Sequence, residues 1–243
     1  MAGVAQLDDV RVEEGQGALT IWLDAPRRRN ALNASMMGRL ADAVERSAEG
    51  NHRLILIRGA GGCFCAGRAR PVESDGADEA EARLAEALRL ARAMYRCSKP
   101  LVAIVEGYAI GIGLSLALWC DFAIAEADAQ FGAPEVRLGF PPTMTAVTLL
   151  RRVARPYALD FLLTGRRFGA AEAMAAGMLR GVVEADSLDA WIASLVADFE
   201  QTVPAAAAAC KALLRDVEPM GFEDALALAA RTTLDVETSG AKI

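Results

Sequence analysis

The stretch "KPLVAIVEGYAIGIGLSLALWCD", Lys99–Asp121, decides how the chain folds. "LVAIVEG" is an uninterrupted β-branched and aliphatic run, which reads as a strand covered on both faces. Gly107, Gly111 and Gly113 then break the run, and an apolar helix follows over Leu114–Cys120. Leu101–Cys120 is long enough to span a bilayer and carries only Glu106 as a charge. The glycines and Glu106 interrupt it, so a buried strand, a glycine turn and a buried helix explain it better than a membrane span.

Outward from that stretch, strands and helices alternate. "ALTIWLD" (Ala18–Asp24) and "RLILIRGA" (Arg53–Ala60) read as strands, and "DFAIAEA" (Asp121–Ala127) as a third. A helix opens at Asn33 or Ala34 with Met37, Leu40 and Val44 on one face, and another runs over Glu79–Cys97. Between them, the acidic, glycine-containing half of "GGCFCAGRARPVESDGADEA" reads as a mobile segment. From Thr143 onward the pattern is helical, with one short strand expected in "GMLRGVVE". The last helices, about Ser187–Asp235, are alanine-rich and amphipathic, suited to packing on the core or on a second subunit.

Composition narrows the function. The chain has 243 residues, 53% hydrophobic and 24% charged, and a net charge of −6, which argues against disorder and against a basic face for nucleic acid. Five cysteines without a CxxC pair and a single histidine, His52, make no zinc set, so no metal is expected. His52 reads as a surface residue, and the cysteines as idle thiols of a reducing compartment. The acidic start "MAGVAQLDDVRVEEG" lacks an apolar signal region, which points to the cytoplasm. "GAGGCF" (Gly59–Phe64) fails the dinucleotide fingerprint because Phe64 holds the third glycine position. "GCFCAGRA" (Gly62–Ala69) fails the P-loop pattern at Arg68 and Ala69.

What remains is a pairing of turns. One buried strand ends in "CAGR" (Cys65–Arg68), and a later one ends in Gly111–Gly113 at the start of a helix. Unpaired N–H groups at two such turns could grip one carbonyl oxygen as it becomes anionic. Glu135, between a proline and an apolar run in "FGAPEVRLG", is a candidate acid or base.

The ordered blocks "RRRNALN", "FCAGR", "KPLVAIVEGYAIGIGLSLALWCD", "FGAPEVRLGFPP" and "LTGRRFGAAEAMAAGML" resemble the enoyl-CoA hydratase/isomerase (crotonase) family. The resemblance covers about Ala18–Glu184. It implies an α/β fold, a spiral of repeated ββα units over residues 1–185, with a helical C-terminal region at 186–243 that trimerises, often into a hexamer. It implies an acyl-CoA substrate, with coenzyme A as part of that substrate and no separate cofactor. By position, the two backbone donors for the thioester oxygen belong to Arg68 and Ile112. Arg27, Arg28 and Arg29 lie where the family meets the CoA phosphates. The Ala66–Gly67–Arg68 turn lies where the family's backbone holds the adenine, and Gly111 falls in the family's glycine turn at the thioester.

Three departures from the family pattern follow. Ile112 replaces the central glycine of a triple glycine, and its β-branched side chain is expected to narrow the acyl pocket and strain the turn. Ser115 stands where family hydratases carry a second glutamate, so Glu135 is left as the one catalytic carboxylate. "FPPTMTA" replaces the glycine-rich turn usual after Glu135, and the basic CoA-contacting end is short, with Lys242 as a possible stand-in. A single base suits isomerisation of a 3-enoyl-CoA, whereas the family's commonest activity is hydration. Other enolate chemistry such as decarboxylation, and an acyl-CoA-binding or scaffold homologue, remain as alternatives.

Overall fold

The computed structural model describes residues 4–7, 9–47, 49–69 and 77–238. Residues 70–76 of the expected mobile half-loop and Lys242 lie outside them; the last part of that half-loop, residues 77–80, is helical and opens α2. In chain order the elements begin with β1 (Val4–Leu7), β2 (Val10–Glu14), β3 (Ala18–Leu23), α1 (Ala34–Ser47), β4 (Leu54–Gly59) and α2 (Ala77–Arg96). Next come β5 (Leu101–Val105), β6 (Tyr108–Ile110), α3 (Ile112–Trp119), β7 (Phe122–Glu126) and β8 (Gln130–Gly132). The helical part holds α4 (Thr143–Arg152), α5 (Arg155–Thr164), β9 (Arg167–Gly169), α6 (Ala170–Ala175), β10 (Gly181–Val183), α7 (Leu188–Glu200), α8 (Pro204–Val217) and α9 (Phe222–Thr238).

Among the described residues one sheet runs β1-β2-β3-β4-β5-β7-β10, antiparallel through β3 and parallel beyond it. A second sheet runs β6-β8-β9. Each strand pair β5–β6 and β7–β8 therefore sends one strand to each sheet before a helix follows, which is the repeated ββα unit. Single bridges Cys65↔Ala109 and Leu32↔Arg68 place the loops after β4 and β3 beside the small sheet in the same way.

The apolar strands are apolar because both faces are covered. Ile55 and Ile57 of β4, with Leu101 and Ala103 of β5, enter the large core beneath α1, α2 and α3. Leu54, Leu56, Val102 and Ile104 point the other way, into a smaller core closed by Leu188, Ile192 and Leu195 of α7. A boundary at residue 186 would cut α7 from the core it fills; the packing changes between α7 and α8, which has no buried residue.

Helix α1 starts where Asn33 Oδ1 accepts the Met36 N–H at 2.8 Å, a side-chain N-cap. Helix α3 is buried on every side from Gly113 to Leu118, which is why its sequence shows no polar face. No described helix is long and apolar enough to cross a membrane.

The sequence anticipates one strand after Thr143, and two are present among the described residues. Residues 167–169 are too few to show a period. They pair antiparallel with β8 because Phe168 stacks between Phe131 and Phe161, at centroid distances of 5.8 and 3.8 Å.

Candidate active site

The Cys65–Arg68 turn is held by main-chain bonds on both sides. Cys65 N–H donates to Tyr108 O at 2.8 Å, Ile110 N–H to Cys65 O at 3.0 Å, and Leu32 N–H to Gly67 O at 2.8 Å. The second turn carries Gly111 at φ 55 and ψ −120 as the cap of α3. Close packing follows: a Cβ at Gly113 would lie 2.5 Å from Cys65 O. Ile112 has no positive φ, so the expected strain of a β-branched residue does not fall on it; Gly111 adopts the left-handed φ instead. Among the described residues neither the Arg68 nor the Ile112 N–H finds a protein acceptor, and Ile112 is the first residue of a helix, where such groups are left over.

Glu135 sits in a 3-10 turn, Pro134–Leu138, that follows β8. The turn is pinned by Phe140 N–H donating to Glu135 O at 3.2 Å and by Arg137 Nε donating to Thr164 O at 2.6 Å. Gly111 makes room for the carboxylate, since a Cβ there would lie 2.6 Å from Glu135 Oε1. Glu135 Oε2 is buried and has no partner among the described residues. Burial raises the Glu135 pKa, opposed by its own backbone N–H and by the nearby Arg68 guanidinium.

These groups share one cavity of about 550 Å³. Ala66, Gly67, Arg68, Gly111, Ile112 and Glu135 all line it. The remaining wall is mostly apolar, from Leu32, Met37, Leu84, Leu138, Phe140 and Met144. Arg68 lies over the Phe140 ring at 5.4 Å, bridging the two sides of the opening. Such a cavity can hold an apolar acyl chain and offer two N–H donors and one carboxylate to its carbonyl end.

The remaining residues singled out from the sequence stand elsewhere. Ser115 is fully buried and does not line the cavity. Its hydroxyl meets Thr145 Oγ1 at 2.9 Å, and Thr145 is the group that faces the cavity. The reason is helical facing: Ser115 lies on the side of α3 that packs against α4, which also carries the Trp119–Thr148 bond of 3.1 Å. Arg27, Arg28 and Arg29 lie outside the cavity wall, and Arg28 is paired with Asp9 at 2.6 Å. Their turn is fixed to the cavity loop through Ala66 N–H to Arg29 O, at 3.0 Å. Asn30 adds to this: fully buried, it donates from Nδ2 to Ala60 O and Cys63 O and accepts the Ala25 N–H. Sequence reading passed over Asn30, Phe140 and Thr145, although the last two lie in the departing "FPPTMTA" segment. His52 is half-buried at the surface, and it is absent from this cavity wall.

A family model described as enoyl-CoA hydratase/isomerase matches residues 13–238. The chain belongs to that family. Its relatives include the 2,3-dehydroadipyl-CoA hydratase of Escherichia coli K12, 31% identical over 228 residues, 91% of this chain and 87% of that protein. Among solved structures, an enoyl-CoA hydratase of Mycobacterium smegmatis superposes with a TM-score of 0.89 at 28% identity, covering 94% of this chain and 90% of the other. One from Thermoplasma volcanium GSS1 gives a TM-score of 0.87 at 29% identity, covering 96% and 93%. The fold is the mixed α/β crotonase fold with C-terminal helices. The crotonase family accounts for the acyl-CoA substrate.

Proposed function

We propose that the protein is a 2-enoyl-CoA hydratase. The observation that carries this reading is the buried, unpartnered Oε2 of Glu135, in the same apolar cavity as two N–H groups from separate turns. In this reading the Arg68 and Ile112 N–H groups hold the thioester oxygen, and Glu135 moves the proton. Removing one such donor costs on the order of 10²–10³ in rate in other enzymes. The exposed side chains of Arg27 and Arg29 take the CoA phosphates, and the Ala66–Arg68 backbone takes the adenine. The C-terminal helices leave Leu214, Phe222 and Leu234 exposed, which favours a homotrimer or a hexamer of two trimers.

The relatives named above are hydratases, and they lend no support to the leaning toward isomerase chemistry that a lone carboxylate invites. A single base remains the one observation that favours a 3-enoyl-CoA isomerase as the second reading. Purified protein given crotonyl-CoA is expected to gain the mass of water. Mass unchanged with crotonyl-CoA, alongside loss of a 3-enoyl-CoA to the conjugated isomer, overturns the hydratase reading in favour of the second. No turnover of either substrate points to the binding homologue.

A further inference from the structure

We propose that Thr145 is the second acceptor that holds the attacking water, in partnership with Glu135. The inference rests on the hydratase reading above.

Water adding to C3 of an enoyl thioester must present a lone pair to that carbon. Both of its hydrogens then point away and need acceptors. Glu135 Oε2, buried and without a protein partner among the described residues, is one. Ser115 is not the other, because it does not reach the cavity.

Thr145 does. The residue is 1% exposed, yet it lines the cavity together with Glu135. Its hydroxyl is 2.9 Å from Ser115 Oγ. Both hydroxyls also face the Gly111 carbonyl, Thr145 at 3.4 Å and Ser115 at 3.5 Å. Two hydroxyls carry two protons. One lies between the pair, and the other is directed at Gly111 O from whichever hydroxyl accepts within the pair. Either arrangement uses both protons within the cluster and leaves Thr145 Oγ1, on a residue that lines the cavity, a lone pair free to accept. Glu135 converges on the same residue from its own turn, with Oε1 crowding Gly111. The hydroxyl pair thus fixes Thr145 as an acceptor, and Ser115 is a positioning residue acting through it.

The step balances without a co-reactant other than water. The water oxygen bonds to C3, and the C2–C3 π pair moves toward the thioester oxygen as an enolate. One water proton passes to Glu135, which then delivers a proton to C2. Thr145 holds the other hydrogen, which stays on the new hydroxyl.

The test separates water placement from proton abstraction. Exchange of the C2 protons of butyryl-CoA in D₂O needs Glu135 and the two N–H donors but no placed water. Hydration of crotonyl-CoA needs all of them. Thr145→Val is expected to lower kcat for hydration by about 10–100-fold, with KM little changed and exchange at the parent rate. Thr145→Ser is expected to restore hydration. Reading the ratio of the two activities in one sample guards against misfolding, since lost protein lowers both alike. Thr145→Cys, close in size and a weak acceptor, is the second variant, with the same fall in the ratio expected. Hydration unchanged in these variants, or a ratio unchanged while both activities fall, overturns the role of Thr145 alone. Absence of hydration in the parent protein overturns the hydratase reading and this inference with it.

Discussion

The two walls of the cavity are built differently. One is main chain: the Cys65–Arg68 turn and the Gly111–Ile112 turn, locked to each other by strand-like bonds through Tyr108 and Ile110. The other is side chain: Glu135, Leu138 and Phe140, then Thr143–Thr145 at the start of α4. The first wall offers dipoles that need no particular residue, so Ile112 can replace a glycine without losing a donor. The second depends on residue identity at every position. In the proposed reading the first wall supplies the electrostatics of the thioester site, and the second selects reaction and acyl group.

Glu135→Gln attacks the side-chain wall at its centre. Turnover is expected to fall by about 10²–10⁴-fold while acyl-CoA binding persists, measured by kinetics beside calorimetry. Activity near the parent level would remove Glu135 from the chemistry. Its raised pKa also sets two pH effects. As a base, Glu135 must be ionised, so the acid limb of kcat/KM should lie above the ordinary carboxylate value of 4.5. For stability the sign is opposite. The folded state binds this proton more tightly, so its contribution is fully present below the unfolded pKa and is lost as pH rises through the folded one. Glu135→Gln should therefore be relatively more stable than the parent at neutral pH, and denaturant melts below pH 4.5 should show that advantage fading.

Gly111→Ala tests whether the walls are independent. The added Cβ meets Glu135 Oε1 at 2.6 Å, on a backbone whose φ is 55. A loss of about 1–3 kcal/mol in thermal or denaturant stability is expected, together with a fall in kcat as the carboxylate is displaced. A stable variant with parent kinetics would show that the crowding at Gly111 places nothing.

Phe140→Ala gives the smallest effect. It removes the Arg68–Phe140 contact across the opening. A contact of this kind at an exposed site is worth about 0.5–1 kcal/mol. KM for a medium-chain enoyl-CoA should rise severalfold with kcat nearly unchanged. A change confined to kcat would mean that the contact orients the Arg68 turn instead.

The first wall was legible in the sequence because glycine spacing and strand ends are local signals. Four of the seven described strands of the large sheet, β3, β4, β5 and β7, could be read from "ALTIWLD", "RLILIRGA", "LVAIVEG" and "DFAIAEA" for the same reason, and β10 from "GMLRGVVE", whereas β1 and β2 were not read as strands. The three-residue strands β6, β8 and β9 could not. They are too short for a period, and they exist only because neighbouring backbone completes them. The sequence marked Ser115 as a replaced glutamate, yet Ser115 turns toward α4 and Thr145 takes the cavity side.

By itself the sequence determined the alternation of buried strands and helices, the paired glycine turns and the lone carboxylate. Each is written in spacing along the chain, where periodicity and the conformational freedom of glycine act locally. Tertiary structure alone decided which hydroxyl reaches the cavity, which arginines leave it and why Gly111 cannot carry a side chain. Those outcomes depend on how α3, α4 and the Glu135 turn pack against one another, and residues far apart in sequence set that packing.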